Sequence, residues 1–91
     1  MTRKETLDAA AAIVTKDREA DYGAPENSFT TIASFWDTYL KARKPGALQA
    51  HDVALMMSLL KTARLAENPA KTDSWIDLAG YSACGAECAT S

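Results

Sequence analysis

Residues 51–65 read HDVALMMSLLKTARL, and their apolar positions recur every three or four residues. Val53, Met56, Met57, Leu60, Ala63 and Arg64 align at helical spacing, with a stop at Asn68 and Pro69. The spacing predicts a helix over about residues 50–67. No part of the chain alternates apolar and polar residues as a half-buried strand would, so the expected class is all-α.

Three more helices are expected around this one. Upstream, Phe29, Ile32, Ala33, Trp36, Tyr39 and Leu40 form an aromatic-rich stripe over about 27–43, ended by RKPGA. Further back, Leu7, Ala10, Ala11, Val14 and Arg18 recur over about 4–20 until DYGAPEN, where Gly23 and Pro25 interrupt helical geometry. Downstream, Thr72 or Asp73 is a suitable N-cap for a helix over about 73–89. Its second half is almost without bulk at Ala79, Gly80, Ser82, Ala83, Gly85 and Ala86. Helical glycine costs about 1 kcal/mol against alanine, so a neighbouring backbone, a second copy or a ligand should approach there.

The 91 residues are enough for one core, so a single helical domain over 1–91 is expected, folded as a compact four-helix bundle. A pocket of useful size would borrow walls from a second copy, which makes a homo-oligomer the expectation. A composition of 47% hydrophobic and 24% charged residues is that of a folded chain. A net charge of -2 disfavours a duplex nucleic-acid partner, because phosphate neutralisation needs a basic surface. With neither a signal-peptide core nor a run near the roughly 20 apolar residues of a membrane span, no membrane partner and a cytoplasmic location are expected. Cys84 and Cys88 lie four apart on one helical face, a spacing expected for small buried thiols in a reducing compartment rather than for a disulfide.

Two groups of residues could carry chemistry. On the fourth helix Asp73 and Asp77 share a face with Tyr81 and Cys84, a placement in which two carboxylates can share a divalent cation. Asp73 can equally serve the helix N-terminus, and Asp77 can equally pair with Lys61 or Arg64 of the third helix. Lys61 and Arg64 are suited to phosphate by charge and, for arginine, by forked donor geometry. The second group is the loop DREADYGAPENSF, where Arg18, Asp21, Tyr22, Gly23 and Asn27 crowd together. Tyr22 could stack on a base, Asn27 read its edge and Gly23 let backbone approach, or the loop could be a turn whose tyrosine covers the core. His51 and Asp52 open the third helix, where both can be terminal polar residues, and a lone histidine is a weak catalytic signal. No P-loop, G-x-G-x-x-G or Ser-His-Asp set is present.

The segments DYGAPENSF, HDVALMMSLLKTARLAENP and DSWIDLAGYSACGAE together resemble a family of small phage and prophage proteins, from Arg18 to Glu87. The D-Y-G turn and acidic late helix are more distantly similar to all-α nucleotide pyrophosphohydrolases of the MazG type and to phage nucleotide-modification-associated domains. That resemblance implies a helical bundle, a dimer or tetramer, and a magnesium-bound nucleoside triphosphate between helices, the cytoplasm being that of a host bacterium. The chain departs from the MazG pattern, whose E-E-x-x-E run has no counterpart: the second helix offers Asp37 and the third begins with Asp52. Asp73 and Asp77 stand for the later acids at i and i+4 rather than i and i+3.

The leading expectation is a phage or prophage protein that binds a nucleotide or nucleotide-derived signal between the D-Y-G turn and the third and fourth helices. Arg18, Asp21, Tyr22, Gly23, Asn27, Lys61, Arg64, Asp77 and Tyr81 are the candidate ligand-binding residues. Such a protein needs no cofactor and could sequester an immune signal. The enzymatic alternative is a magnesium-dependent nucleotide pyrophosphohydrolase with Asp73 and Asp77 as metal ligands. A third is a structural or protein-binding module.

Overall fold

The computed structural model describes residues 1–17 and 25–91. The candidates Arg18, Asp21, Tyr22 and Gly23 lie outside the described residues. Among those described, four α-helices and no strands are found, so the all-α bundle that the spacing predicts is present.

Helix α1 spans Arg3–Ala12 and is followed by a π-helical stretch, Ile13–Asp17. Its start is set by a capping box: Thr2 Oγ1 accepts from the Glu5 amide at 3.1 Å, and Glu5 Oε1 accepts from the Thr2 amide at 3.2 Å. The expected α-helix over 4–20 instead widens at Ile13, Val14 and Thr15. Three consecutive β-branched residues crowd the preceding turn, and the Thr15 hydroxyl donates to the Ala11 carbonyl at 2.6 Å, competing for the α-helical acceptor.

Helix α2 spans Pro25–Ala42, with proline at the first helical position, where no backbone donor is needed. The connector turns at Gly46, whose φ of 137° lies where a side chain is strained. Helix α3 spans Ala50–Glu67 and α4 spans Thr72–Thr90. Between them Asn68 closes a tight turn, accepting at its carbonyl from the Lys71 amide at 3.2 Å and at its side-chain oxygen from the Ala70 amide at 3.3 Å. The N-cap of α4 is Lys71, not Thr72 or Asp73. Asp73 lies inside the first turn, where a carboxylate still favours the helix dipole.

Helix α3 is the centre of the fold. It packs against α2 and α4, which do not pair with each other, and among the described residues α1 pairs with none of the three. Helical rotation explains the arrangement. Asp52, Met56 and Ala63 face α2, while Ala54, Ser58, Lys61 and Leu65 sit roughly half a turn away and face α4. Trp36 of α2 ties into this layer by donating from Nε1 to the Met56 carbonyl at 2.6 Å.

An open layer buries little. Among the described residues the buried apolar side chains are Ile32, Ala63 and Leu65. The stripes expected to form a core are split: Ile32 is buried, whereas Phe29 is 62% and Val53 54% exposed. Cys84 and Cys88 are exposed as well, contrary to the expectation of buried thiols; the half-buried or buried row of α4 is Ser74, Leu78, Tyr81 and Gly85. No helix among the described residues is long and apolar enough to cross a membrane.

Candidate functional site

The α3–α4 hairpin forms a cleft of about 630 Å³. His51, Leu55 and Ser58 come from α3, spaced so that they share one side of the helix. Trp75, Leu78, Tyr81 and Ser82 come from α4, with Ala79, Ala86 and Ala89 leaving room between them. The lining is therefore mostly aromatic and aliphatic, with the His51 imidazole and the Ser58, Tyr81 and Ser82 hydroxyls among its polar groups. Trp75 is held in place by an Nε1 hydrogen bond of 3.0 Å to the Pro69 carbonyl, so its ring is positioned by the interhelical turn.

The small residues of α4 have two different causes. A Cβ on Gly85 would lie 2.9 Å from the Ala54 Cβ, so this glycine is needed for the close approach of α3. A Cβ on Gly80 would meet nothing within 4 Å. The expected close neighbour exists at one glycine and is helix α3.

Lys61 and Asp77 meet across the same hairpin, Nζ to Oδ2 at 2.9 Å. The Lys61 side chain is only 14% exposed, against 48% for Asp77, so the lysine stem is packed while the carboxylate faces outward. Asp77 thus takes Lys61 as its partner. Arg64 stands about one turn further along α3 and is half-buried, and Tyr81 stands one turn beyond Asp77 and lines the cleft. Lys61 and Asp77 are thus brought together, whereas Tyr81 lines the cleft, which Lys61, Arg64 and Asp77 do not, and Arg64 falls on the row of Val53 and Met57. Asn27 is exposed in the first turn of α2, a helix that does not pair with α4. Asp73 is exposed one turn before Asp77, and no group of three or more His, Cys, Asp or Glu is gathered among the described residues.

A second polar centre was not anticipated as a unit. Asp52 is 1% exposed and its carboxylate is saturated. Oδ1 accepts from the Tyr39 hydroxyl at 2.5 Å and from Arg43 Nε at 2.9 Å; Oδ2 accepts from Arg43 Nη2 at 3.0 Å and from the Gln49 amide at 2.8 Å. The Tyr39 hydroxyl, then Arg43, then the Gln49 amide hold the Asp52 carboxyl well below the usual carboxylate range. The same contact raises the Tyr39 hydroxyl, since a phenolate would face a carboxylate. Arg43 also donates to the Gly46 and Ala47 carbonyls at 3.1 and 3.2 Å, tying the connector to both helices. With its acceptor positions filled, Asp52 latches α2 to α3 and is unsuited to proton transfer. The signal in the sequence was an arginine and an aspartate flanking a Pro-Gly connector, with the aspartate three residues into the next helix.

A family model described as a domain of unknown function, DUF6378, matches residues 5–89. The chain belongs to the DUF6378 family. This DUF6378 chain is 37% identical over 75 residues to the Gene 55 protein of Mycobacterium phage L5, covering 82% of the chain and 46% of that relative. It is 33% identical over 78 residues to the Gene 55 protein of Mycobacterium phage D29, covering 86% of the chain and 49% of that relative. The chain thus spans about half the length of these curated phage relatives. No solved structure matches the DUF6378 chain. The expectation of a phage-protein family is met at this level.

Proposed function

We propose that this DUF6378 protein binds a nucleotide or nucleotide-derived signal at the α3–α4 hairpin, with the base in the cleft. The observation that carries the reading is the cleft itself. A planar, weakly polar ring fits between Trp75, Tyr81 and Leu78, while His51, Ser58 and Ser82 offer hydrogen bonds to its edge. Lys61 lies one turn along α3 from Ser58 and Arg64 one turn beyond that. Neither lines the cleft, and Arg64 falls on the row of Val53 and Met57, so the reading rests on the base in the cleft and not on a phosphate contact from these two residues.

The cleft lining contains no carboxylate, and Asp77 is engaged by Lys61, which favours binding over metal-dependent turnover. Binding without turnover is sufficient for a phage protein that sequesters a host immune signal. The MazG-like alternative requires Asp73 and Asp77 to take up magnesium, with Asp77 released from Lys61.

The test is to incubate the purified chain with nucleoside triphosphates and with cyclic dinucleotides, each with and without magnesium, and then boil it and identify what is released. Intact ligand supports binding. Monophosphate with pyrophosphate, formed only with magnesium, supports the hydrolase.

A further inference from the structure

A recess of about 460 Å³ opens where the α2–α3 connector meets the start of α3. Arg43, Lys44, Gln49 and Asp52 line it, and it shares His51 and Leu55 with the α3–α4 cleft. These two residues are four apart and neighbours on one face of α3, so the recess and the cleft adjoin across them.

The two spaces differ in chemistry. Among the described residues the cleft lining holds no lysine, arginine or carboxylate, whereas the recess sets two cations, Arg43 and Lys44, against one carboxylate, Asp52. That carboxylate is buried and already accepts from Tyr39, Gln49 and twice from Arg43, so it offers an incoming anion little repulsion. Arg43 is spent on Asp52 and on the Gly46 and Ala47 carbonyls. The ammonium of Lys44 remains as the uncompensated charge: it is exposed and, among the described residues, pairs with no carboxylate. His51 Nε2 stands 3.9 Å from Asp52 Oδ1, beyond hydrogen-bond reach, which leaves this nitrogen to a ligand on the recess side.

The spacing along α3 suits one ligand that occupies both spaces. From Ser58, in the cleft, back to His51 is seven residues, roughly 10 Å along the helix axis. A ring held beside Ser58 and Tyr81 then has its sugar near Leu55 and its phosphates past His51.

We propose that the recess is the phosphate subsite of the nucleotide whose base occupies the cleft, with Lys44 as its cation and His51 at the junction. This rests on the nucleotide reading of the cleft and gives the ligand a direction. Its ring lies toward Trp75 and its phosphates toward the connector, at the opposite end of α3 from Lys61 and Arg64.

Amide NMR of the full chain titrated with sodium tripolyphosphate tests the recess without any base. Saturable shifts at the Lys44, Gly46 and Gln49 amides are expected, weakened roughly tenfold in affinity by Lys44→Glu. Lys16→Glu, the same change of charge outside the recess lining, should leave them unaltered. No shift at the connector, or an equal response in Lys44→Glu, overturns the proposal; should Lys44→Glu fail to fold, Lys44→Gln is read in the same way. The four nucleosides, which carry no phosphate, test the base reading separately through the Trp75 indole signal. A shift there upholds the cleft even where tripolyphosphate fails to bind. Without it the nucleotide reading falls, and with it the assignment of the recess to a nucleotide, even where tripolyphosphate binds.

Discussion

Arg43 grips Asp52 with two nitrogens, Nε on Oδ1 at 2.9 Å and Nη2 on Oδ2 at 3.0 Å, around a carboxylate almost closed off from water. The pair spans the connector between α2 and α3 and fixes how the two helices meet. Replacing Arg43 with alanine leaves a buried charge without its main partner, so the melting temperature should fall by several degrees. Arg43→Lys should recover little of the loss, since one ammonium cannot reproduce the fork. Circular dichroism melts of the three proteins check this, and an unchanged Arg43→Ala melt would remove the latch from the account.

The same carboxylate sets a pH dependence. Its folded pKa is depressed, so its stabilisation is fully present above the unfolded value of about 3.9 and is lost as pH falls below it toward the folded value. The gap in urea midpoint between the unaltered protein and Asp52→Asn should therefore be constant from neutral pH to about pH 5 and narrow from about pH 4 downward. A gap that widens in acid has the wrong sign for this assignment.

The two mid-helix glycines of α4 should respond in opposite ways. Gly80→Ala adds a methyl into open space and should stabilise by about 1 kcal/mol through helix propensity. Gly85→Ala drives a Cβ to 2.9 Å from the Ala54 Cβ, which has no flexible end to yield, and should destabilise by about 1–3 kcal/mol. Denaturant titrations of both variants measure the two signs.

In the cleft, Tyr81→Ala should weaken nucleotide affinity by roughly tenfold, the loss of about 1.4 kcal/mol, while Gly80→Ala leaves it unchanged. Isothermal titration set beside thermal melts separates this effect from loss of folding.

The helices were legible because apolar spacing and Asn, Pro and Gly punctuation are local signals, and α3 occupies the range that its spacing predicts. Which apolar rows become core was not legible. Val53 and Met57 share a stripe with Met56 and Ala63, yet α2 takes the Met56 side and leaves Val53 exposed, a choice that depends on where the neighbouring helices sit. At the site, the Lys61–Asp77 pair was legible as a class of contact because both residues fall on facing rows. The buried role of Asp52 was not, since it requires Tyr39, Arg43 and Gln49 to converge from two helices and a connector. The cleft was signalled only indirectly, by the lack of bulk along α4.

Isothermal titration of the purified chain against nucleoside triphosphates and cyclic dinucleotides, without magnesium and followed by analysis of the released ligand, tests the central claim most directly. Saturable binding of at least one nucleotide, recovered intact and weakened by Tyr81→Ala, is the predicted result. No heat of binding and no thermal shift with any of them would contradict it.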